Sequence, residues 1–476
     1  MVGRAARVGH LGRHMFRSGI CLAATWLVIS LGTPTGARAE SLTEALVKAY
    51  QNNPQLNAER ARQRATDENV PQALAGYRPQ IVASLSAGLQ AVRNLLPDNT
   101  IQGATLKPWV IGLTVTQTLF NGYKTANSVR VAEFQVQSGR EALRNVGQGV
   151  LLDAVTAYSN VLANQSLVDA QRSNVAFLRE TLQITQRRLK AGDVTPTDTS
   201  QAEARLNRGL SDLNAAEVNL AVSQATYAEV IGNPPSQLKP AGVVDRLLPH
   251  SRDEAVTMAL KENPAVVAAG FDVDVATTNI SVAESSLMPT VTVQGNVSRA
   301  AQDDPTLSTF RTDQASVVGS VNAPLYDGGT GASQTRQAKE VATQSRLVLD
   351  QVRSQAKTAA IGAWVANEGA KVAVTASESE VNAATVALQG VQKEAAGGQR
   401  TTVDVLNSEA DLVSAKARLI SAERDRVIAS YTLLSAIGRL DVKTLGLHTP
   451  DYLPETHYHQ VRDAWEGLRT RTPSGQ

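Results

Sequence analysis

Residues 41–54 read SLTEALVKAYQNNP, and residues 251–264 read SRDEAVTMALKENP, so the same segment occurs twice. Both copies contain a leading serine, a Glu-Ala pair and a closing Asn-Pro, and they lie 210 residues apart. Beyond the strand region described below, the offset becomes 206 and holds without a gap for about 115 residues. An internal match of this length predicts that the fold is built from two copies of one structural unit.

Each unit begins with two short helices. Ser41 and Ser251 are each followed three positions later by a glutamate, which is the sequence of a capping box at a helix start. The Asn-Pro pairs at 53–54 and 263–264 then end this first helix, because a residue before proline disfavours the α conformation. A second helix is predicted to start at each proline, where the missing N–H has no cost.

Two stretches with alternating apolar residues follow in each unit. Apolar side chains at every second position predict strands with one apolar face. The predicted strands span about residues 79–92 and 106–120 in the first unit, and about 289–299 and 315–326 in the second.

A long helix follows the strands. From Tyr123 to about Ala191 there is no proline, and helix formers predominate. These 69 residues would form about 100 Å of helix, and their heptad-spaced apolar residues indicate a coiled coil. The turn AGDVTPTD (191–198) ends the long helix, and a shorter helix follows to about Gly232.

These lengths predict one long rod beside two half-rods in each unit, with two strands at one end. Four strands with an apolar face are unstable as an open sheet, since their edges would pair with other chains in water and stay unsatisfied in lipid. Closure by copies of the chain solves both problems. Two copies would give eight strands and a filled interior, and three would give twelve strands and a lumen. The sequence therefore favours a mainly α fold with a small β part, assembled into an oligomeric barrel continued by a helical tube.

The N-terminus is typical of an export signal. A basic start, an apolar run over 20–31 and an Ala37-Arg38-Ala39 cleavage site predict a signal peptide at residues 1–39. The single cysteine, Cys21, begins the apolar run, so neither lipid anchoring nor disulfides are expected in the mature chain. The predicted organisation is signal peptide 1–39, first repeat 40–232, linker 233–250, second repeat 251–442 and C-terminal segment 443–476.

Composition excludes several classes of function. The 46 basic and 44 acidic residues are balanced, which gives no indication of nucleic-acid binding. No nucleophile, zinc-protease or P-loop motif occurs, so neither an enzyme nor a cofactor is expected. His457 and His459 lack further ligands at metal-site spacing, so no metal site is predicted.

The repeated element order, the Asn-Pro breaks, the junctions LFNG (119–122) and LYDG (325–328), and the segment GGQRTTVDVLNSEADL (397–412) resemble the TolC family of outer-membrane channel proteins. The similarity spans residues 41–442. It implies a homotrimer with one twelve-stranded barrel in the outer-membrane lipid, a periplasmic tunnel of twelve helical rods and an equatorial belt. It also implies a passive export duct whose partners are a periplasmic adaptor (membrane fusion) protein and an inner-membrane transporter of the RND or ABC type.

The resemblance assigns the periplasmic entrance to the helix tips. Asp404 would form a ring of three carboxylates there, with Asn407 one turn further on, and Arg400 and Asp198 would take part in polar links that close the entrance. The family often has a second acid where this chain has Asn407, and its best-known member has a tyrosine that helps the closed state at the position of Ala395. From the residues alone, Asp198 and Asp404 have an alternative role as ordinary N-terminal caps of the helices that follow the tips.

Two further sets of residues are assigned by position. The tip residues predicted to contact the adaptor are Lys190, Gly192, Asp193, Gly398 and Gln399. The residues predicted to join barrel strand to long helix are Phe120, Asn121, Gly122, Tyr326, Asp327 and Gly328. In each joint the aromatic ring suits a membrane–water interface, the Asn or Asp can cap the helix, and the glycine allows the change of direction.

Two other classes of protein would also use long helices. One is a coiled-coil surface fibre or adhesin, and the other is a periplasmic adaptor, whose strands would belong to soluble domains. The duplication and the paired half-rods favour a closed tube over a fibre.

Overall fold

A computed structural model of the chain describes residues 39–303, 310–450, 452–465 and 467. Apart from Ala39, the predicted signal peptide lies outside the described residues. The first repeat contains α1 (Leu42–Asn52), α2 (Pro54–Asp67), α3 (Asn69–Leu74), β1 (Gln80–Ala87), β2 (Gln90–Leu95), β3 (Ile101–Asn121), α4 (Lys124–Ala191) and α5 (Pro196–Ile231). The second contains α6 (Arg252–Glu262), α7 (Pro264–Glu284), β4 (Thr290–Asp303), β5 (Phe310–Asn322), α8 (Thr330–Ala396) and α9 (Thr402–Ala436), and α10 (Pro454–Val461) follows.

The short helices start as their sequences predict. Ser41 forms a complete capping box with Glu44. Ser251 accepts from the N–H of Glu254, but the Glu254 carboxylate accepts from the N–H of His250 instead of closing the box. One difference from the prediction is that the second helix of the first repeat is interrupted at Glu68, between α2 and α3.

The half-rods are joined end to end by the asparagine of each Asn-Pro break. Asn53 Oδ1 accepts from the N–H groups of the first turn of α2, while its Nδ2 donates to the carbonyl of Val230 near the end of α5, at 3.1 Å. Asn263 does the same in the second repeat, donating to the carbonyl of Ala436 at 3.0 Å. Each asparagine therefore caps one half-rod, α2 or α7, and ties it to the end of the other half-rod of the same repeat, α5 or α9.

The long helices α4 and α8 run as continuous rods of 68 and 67 residues, or about 100 Å each. α4 packs against α2 and α5 of its own repeat and also against α7 and α9 of the second repeat. α8 packs against α6, α7 and α9. The rods therefore stand side by side in the order α2–α5, α4, α7–α9, α8.

The strands form one antiparallel sheet in the order β1-β3-β4-β5, and β2 extends the β1 side by pairing with the outer part of β3. The β2–β3 hairpin turn, the end of β4 and the start of β5 all lie at one end of the sheet. At the opposite end β1 and β4 enter from helices, and β3 and β5 lead back into α4 and α8. The sheet thus continues directly into the helical layer.

Each of the four predicted strands differs from its observed counterpart. β4 extends to Asp303, beyond the predicted end near residue 299. The strand predicted over 79–92 is split into β1 and β2 opposite Pro108, because proline has no amide hydrogen to donate to the ladder. β3 begins at Ile101 rather than near 106. The strand predicted over 315–326 spans 310–322 instead, and Pro324 follows its end, so Leu325 and Tyr326 lie outside the sheet.

The two faces of the sheet differ in character. One face carries apolar side chains that are exposed in the single chain, including Ile81, Leu85, Leu113, Val297 and Val317. This face also carries the Arg299–Asp313 ion pair. The other face carries mostly small or polar side chains, with Val82 and Val318 among them, and on it Asn296 Nδ2 donates to Thr114 Oγ1 at 3.1 Å. The apolar side chains of the first face do not pack into any apolar core of the described residues.

The main apolar core lies midway along the helical layer. It is formed by α1, the central part of α4, the ends of α5 and α9, and the residues that follow α9. Its largest side chains are those of Tyr158, Tyr227 and Tyr431, and the first two are fully buried. The helices above and below this core therefore depend more on side-by-side contacts than on a central core.

Glu40 fastens the N-terminal end of the described chain to the linker. Its N–H donates to the carbonyl of Gln237 at 2.7 Å, and its carbonyl accepts from the N–H of Lys239 at 2.9 Å. The hydroxyl of Tyr158 lies 2.8 Å from the same carbonyl oxygen, and Lys48 pairs with the Glu40 carboxylate at 2.9 Å. Glu40 is only 5% exposed, so this bridge belongs to the core region.

The C-terminal segment is held against α2 by a buried pair. His457 Nδ1 lies 3.0 Å from Asp67 Oδ2, and both side chains are buried. Burial raises the pKa of Asp67, against the opposing effect of its hydrogen bonds from His457 and Gln63. His459, two residues away, is exposed. Among the described residues, no three potential metal-ligating side chains cluster together.

One helical stretch of the described chain, Arg252–Leu287, is long and apolar enough by length and composition to cross a membrane. It corresponds to α6, α7 and the turn after them. Asn263 interrupts it with an extended conformation, and its helices pack against α4 and α8. This packing places the stretch in the helical layer.

Candidate functional site at the helix tips and joints

The two helical hairpins end in the same turn. At the first tip, the N–H of Asp193 donates to the carbonyl of Arg188 and the N–H of Gly192 to that of Leu189, with Gly192 at φ 86°. At the second tip, Gln399 and Gly398 make the equivalent bonds, with Gly398 at φ 76°. This pair of bonds is a Schellman motif, and its left-handed position explains both glycines. Lys190, Asp193 and Gln399 are exposed around the turns.

Asp198 and Asp404 cap the helices that leave the tips. Thr195 donates through its N–H and its hydroxyl to one oxygen of Asp198, both at 2.8 Å, and the N–H of Asp198 donates back to the threonine hydroxyl. Thr401 and Asp404 repeat the arrangement at 2.9 Å. The main-chain and side-chain hydrogen bonds from each threonine lower the pKa of its aspartate below the usual range. Both carboxylates are therefore ionised at neutral pH.

Arg400 is engaged within its own tip. Its Nε donates to Glu394 Oε2 at 3.0 Å, and about half of each side chain is exposed. The single chain thus pairs Arg400 with the end of α8 and pairs Asp198 with Thr195. The polar links proposed for these two residues are not formed with each other within one chain, so their part in closing an entrance stays a prediction.

Asn407 connects the two repeats just behind the tips. Its Oδ1 accepts a hydrogen bond from Arg205 Nη2 at 2.8 Å, which joins α9 to α5. A small apolar cluster of Leu178, Ala202 and Leu406 lies beside this link. Arg205 was missed by sequence reasoning, because its partner is 202 residues away and no local pattern relates them.

The first joint is compact. Asn121 ends β3, its Oδ1 accepts from the N–H of Thr125, and its Nδ2 donates to the Thr125 hydroxyl at 2.7 Å. Gly122 and Tyr123 both adopt φ 63°, and the ring of Tyr123 packs edge-on against Phe120 with centroids 5.4 Å apart. A β-carbon on Gly122 would collide with the side chain of Met288, so the position requires glycine for space as well as for conformation.

The second joint uses the same chemistry with a longer loop. Asp327 accepts from the N–H groups of Gly329 and Gly331 at 2.9 and 2.6 Å, which caps α8 as predicted for this residue type. Gly328 and Gly329 both have positive φ. Tyr326 is 87% exposed in the loop between β5 and α8, not at the end of a strand as predicted.

The tips and the joints lie within the segments that match a known protein family. The family model described as outer membrane efflux protein matches residues 45–233 and matches again over residues 255–439. The chain belongs to the outer membrane efflux protein family. The two matched segments start 210 residues apart and end 206 residues apart, the offsets found in the duplicated sequence. The resemblance to TolC-type channels is therefore confirmed.

Individual relatives agree with this family. The chain is 39% identical over 458 residues to the outer membrane efflux protein BepC of Brucella suis, with 95% of this chain and 97% of that protein covered. It is 29% identical over 423 residues to the outer membrane protein TolC of Vibrio cholerae, with 86% and 94% covered. Its fold is similar to the solved CmeC outer membrane channel of Campylobacter jejuni, with a TM-score of 0.74, 13% identity and 89% of both chains covered.

Membership of the outer membrane efflux protein family indicates an outer-membrane location and a channel function in efflux or secretion. It does not favour a surface fibre or a periplasmic adaptor, the two other classes considered from the sequence. The family is one of channel proteins, in agreement with the lack of catalytic motifs. The individual roles of the tip and joint residues remain predictions.

Proposed function

We propose that the chain is the protomer of a homotrimeric exit duct in the outer membrane, for tripartite efflux or type I secretion. The duct is passive, and an inner-membrane transporter of the RND or ABC type drives export through it with a periplasmic adaptor protein. The observation that carries this proposal is that the chain leaves the same two lateral sides unpartnered in both its sheet and its helical layer.

The open sheet edges fit closure by identical copies. β1 and β5 are the two edge strands, and along the order β1-β3-β4-β5 each neighbour is antiparallel. The β5 edge of one copy would therefore meet the β1 edge of the next in antiparallel orientation. Such joining keeps the alternation around the whole sheet and leaves no edge exposed to lipid.

The helical layer is open at the corresponding sides. α8 exposes apolar residues at heptad spacing, with Val365, Val372 and Val386 each more than half exposed. At the opposite side of the layer, α5 exposes Val218 and Val222. Heptad-spaced apolar side chains are the contact surface of a coiled coil. The α8 side of one copy would thus pack on the α5 side of the next.

Three copies fit the sheet better than two. β1 and β2 follow each other along the same side of β3 and fill one strand position, so each copy supplies four positions and a trimer twelve. A barrel of this size encloses a lumen, whereas an eight-stranded barrel fills its interior with side chains. The face opposite the apolar one carries small or polar residues such as Ser84, Gly112 and Ser298, which suits a water-filled interior. The exposed apolar face would then contact lipid.

The tips would form the periplasmic entrance of this duct. Asp404, ionised and located in the first turn of α9, would contribute one carboxylate from each copy to a ring that favours cations. Arg400, Asp198 and Asn407 would regulate the width of the entrance, and the exposed residues around Gly192 and Gly398 would contact the adaptor. Cleavage after Ala39 would release the exported chain, and the linker and C-terminal segment would form the equatorial belt.

Planar-bilayer recordings combined with mass measurement of the detergent-solubilised protein test this proposal. We expect a trimer that conducts ions weakly, and whose conductance rises when Asp404→Ala and Arg400→Ala loosen the tips. Val372→Asp is expected to break the trimer, while Val372→Ala preserves it, because only the aspartate introduces a charge into the apolar stripe. A monomeric protein, or a trimer without conductance even in the double variant, contradicts the duct.

A further inference from the structure

A cavity of about 410 Å³ lies away from the tips and joints, at the level of the main apolar core. Its walls come from α2, from α4, from residues 440–443 after α9, and from residues 452–455 that lead into α10. The buried His457–Asp67 pair fastens α10 just beyond this last wall. Segments from both repeats and from the C-terminal region thus line the cavity, which is open to solvent on one side.

Arg60 brings a buried positive charge to this cavity. Its side chain belongs to a residue only 6% exposed. It donates to the side-chain oxygen of Asn57 and to the main-chain carbonyl of Tyr50, both neutral acceptors, and its guanidinium lies over the rings of Tyr50 and Tyr452 at 4.6 and 5.1 Å. A buried guanidinium is costly unless an anion is near, and neutral acceptors compensate it only in part.

Two buried donors on α4 also face the cavity without an acceptor. Gln148 is 3% exposed, and its Nε2 has no hydrogen-bond partner among the described residues. Arg140 Nε is likewise buried and without an acceptor in that part of the chain, although the guanidinium packs over the ring of Tyr458. Buried polar groups are nearly always hydrogen-bonded in native proteins, so two orphaned donors in one cavity indicate a missing acceptor.

The carboxylates that line the cavity are occupied or turned outward. Glu141 pairs with Arg144 at 3.2 Å, and Asp441 accepts from the main-chain N–H of Thr444 at 2.7 Å. Glu455 is 66% exposed and only reaches Arg140 at 3.6 Å. Asp67 also lies near Arg140, but its two oxygens accept from Gln63 and pair with His457. Among the described residues, the acids therefore leave Arg60 and the two orphaned donors without a strong acceptor.

We propose that this cavity binds a small anion bearing a phosphate or carboxylate group. Arg140 and Gln148 lie eight residues, or about 12 Å, apart along α4, so separate oxygens of the ligand accept from Arg140 Nε and from Gln148 Nε2. The negative charge of the ligand offsets the buried charge of Arg60. The volume exceeds that of a bare oxyanion and falls in the range of ordinary small-molecule sites, so the ligand has an organic remainder. Because the site lies apart from the tips and the sheet, this inference does not rest on the proposed channel function.

Calorimetric titration and thermal unfolding of the purified full-length protein test the site, with inorganic phosphate and citrate as separate probes at constant ionic strength. We expect at least one probe to bind and to raise the unfolding temperature, since a ligand that binds only the folded state stabilises it. Arg140→Gln and Gln148→Glu are each expected to weaken binding by about tenfold or more. The first removes a charged hydrogen-bond donor, and the second introduces a carboxylate that repels the anion. Arg172→Gln, on the exposed part of α4, is the matched control and leaves binding unchanged.

Binding of phosphate, of citrate or of both that at least one cavity variant weakens supports the site and identifies the oxyanion that it prefers. If neither probe binds, the proposal is wrong. The proposal is equally wrong if both cavity variants bind the probe as tightly as the wild-type protein does, because the anion then occupies another surface. The oligomeric state and helix content of each variant, measured in parallel, separate loss of binding from loss of fold.

Discussion

Gly122 and Gly328 occupy equivalent joints in the two repeats, and alanine at each position is expected to have different consequences. Both glycines have positive φ, 63° and 72°. Alanine in this conformation costs about 1–2 kcal/mol at either site. At Gly328 no atom lies within 4 Å of an added β-carbon, so this conformational cost is the whole effect.

At Gly122 the added β-carbon also meets the second repeat. It would collide with the side chain of Met288 and lie 2.9 Å from the carbonyl oxygen of Ser285. Overpacking of this kind costs about 1–3 kcal/mol more. We therefore expect Gly122→Ala to destabilise the folded protein by about 2–5 kcal/mol in all, and Gly328→Ala by about 1–2 kcal/mol.

Urea unfolding of the purified protein, followed by tryptophan fluorescence and by loss of the folded oligomer on gels, measures both variants. The expected order is wild type, then Gly328→Ala, then Gly122→Ala, with the larger gap between the two variants. Equal destabilisation by the two substitutions would refute the steric reasoning, because their backbone conformations are alike and only their surroundings differ.

Three further predictions concern the tips and the C-terminal segment. Asn407→Asp converts the bond from Arg205 into an ion pair, so we expect tighter tips by a few tenths to about 1 kcal/mol, seen as lower conductance and higher cation selectivity in bilayers. The pKa of Asp404 is lowered in the folded state, so its capping contribution is fully present above the unfolded pKa of about 4 and is lost as the pH falls through the folded value; the protection factors against hydrogen exchange in the first turn of α9, corrected for the intrinsic exchange rate, should fall only under that acidification. His457→Ala leaves a buried carboxylate without its partner at a cost of about 1–3 kcal/mol, so proteolysis of the C-terminal segment should accelerate, whereas the exposed His459→Ala should not change it.

The helical part of the fold was predictable because its boundaries are set locally. The long helices begin and end within a few residues of the predicted positions, since a Schellman glycine, a threonine cap and a proline mark the tips. The Asn-Pro breaks were equally predictable from the sequence. The strand ends were less so, because the effect of Pro108 on β1 depends on which strand lies opposite it, and this pairing is not encoded in the neighbouring residues.

The candidate site was predictable only in part, for a similar reason. The capping role of Asp198, Asp404 and Asp327 follows from spacing of two to four residues, so it could be anticipated. The link from Arg205 to Asn407 joins residues in different repeats, and it becomes visible only when α5 and α9 are placed side by side. In the proposed trimer, the contacts that close the entrance would lie between chains, and a single protomer does not contain them.

The bridge at Glu40 would link the proposed cleavage of the signal peptide to the stability of the mature fold. Its N–H already donates to the carbonyl of Gln237 at 2.7 Å. Cleavage after Ala39, as proposed, would turn this amide into a protonated amine, and a charged donor makes a hydrogen bond about twice as strong as a neutral one. Removal of the signal peptide would then strengthen the contact that holds the start of the first repeat to the linker. An uncleaved precursor would have a weaker hydrogen bond at this position in the proposed equatorial belt.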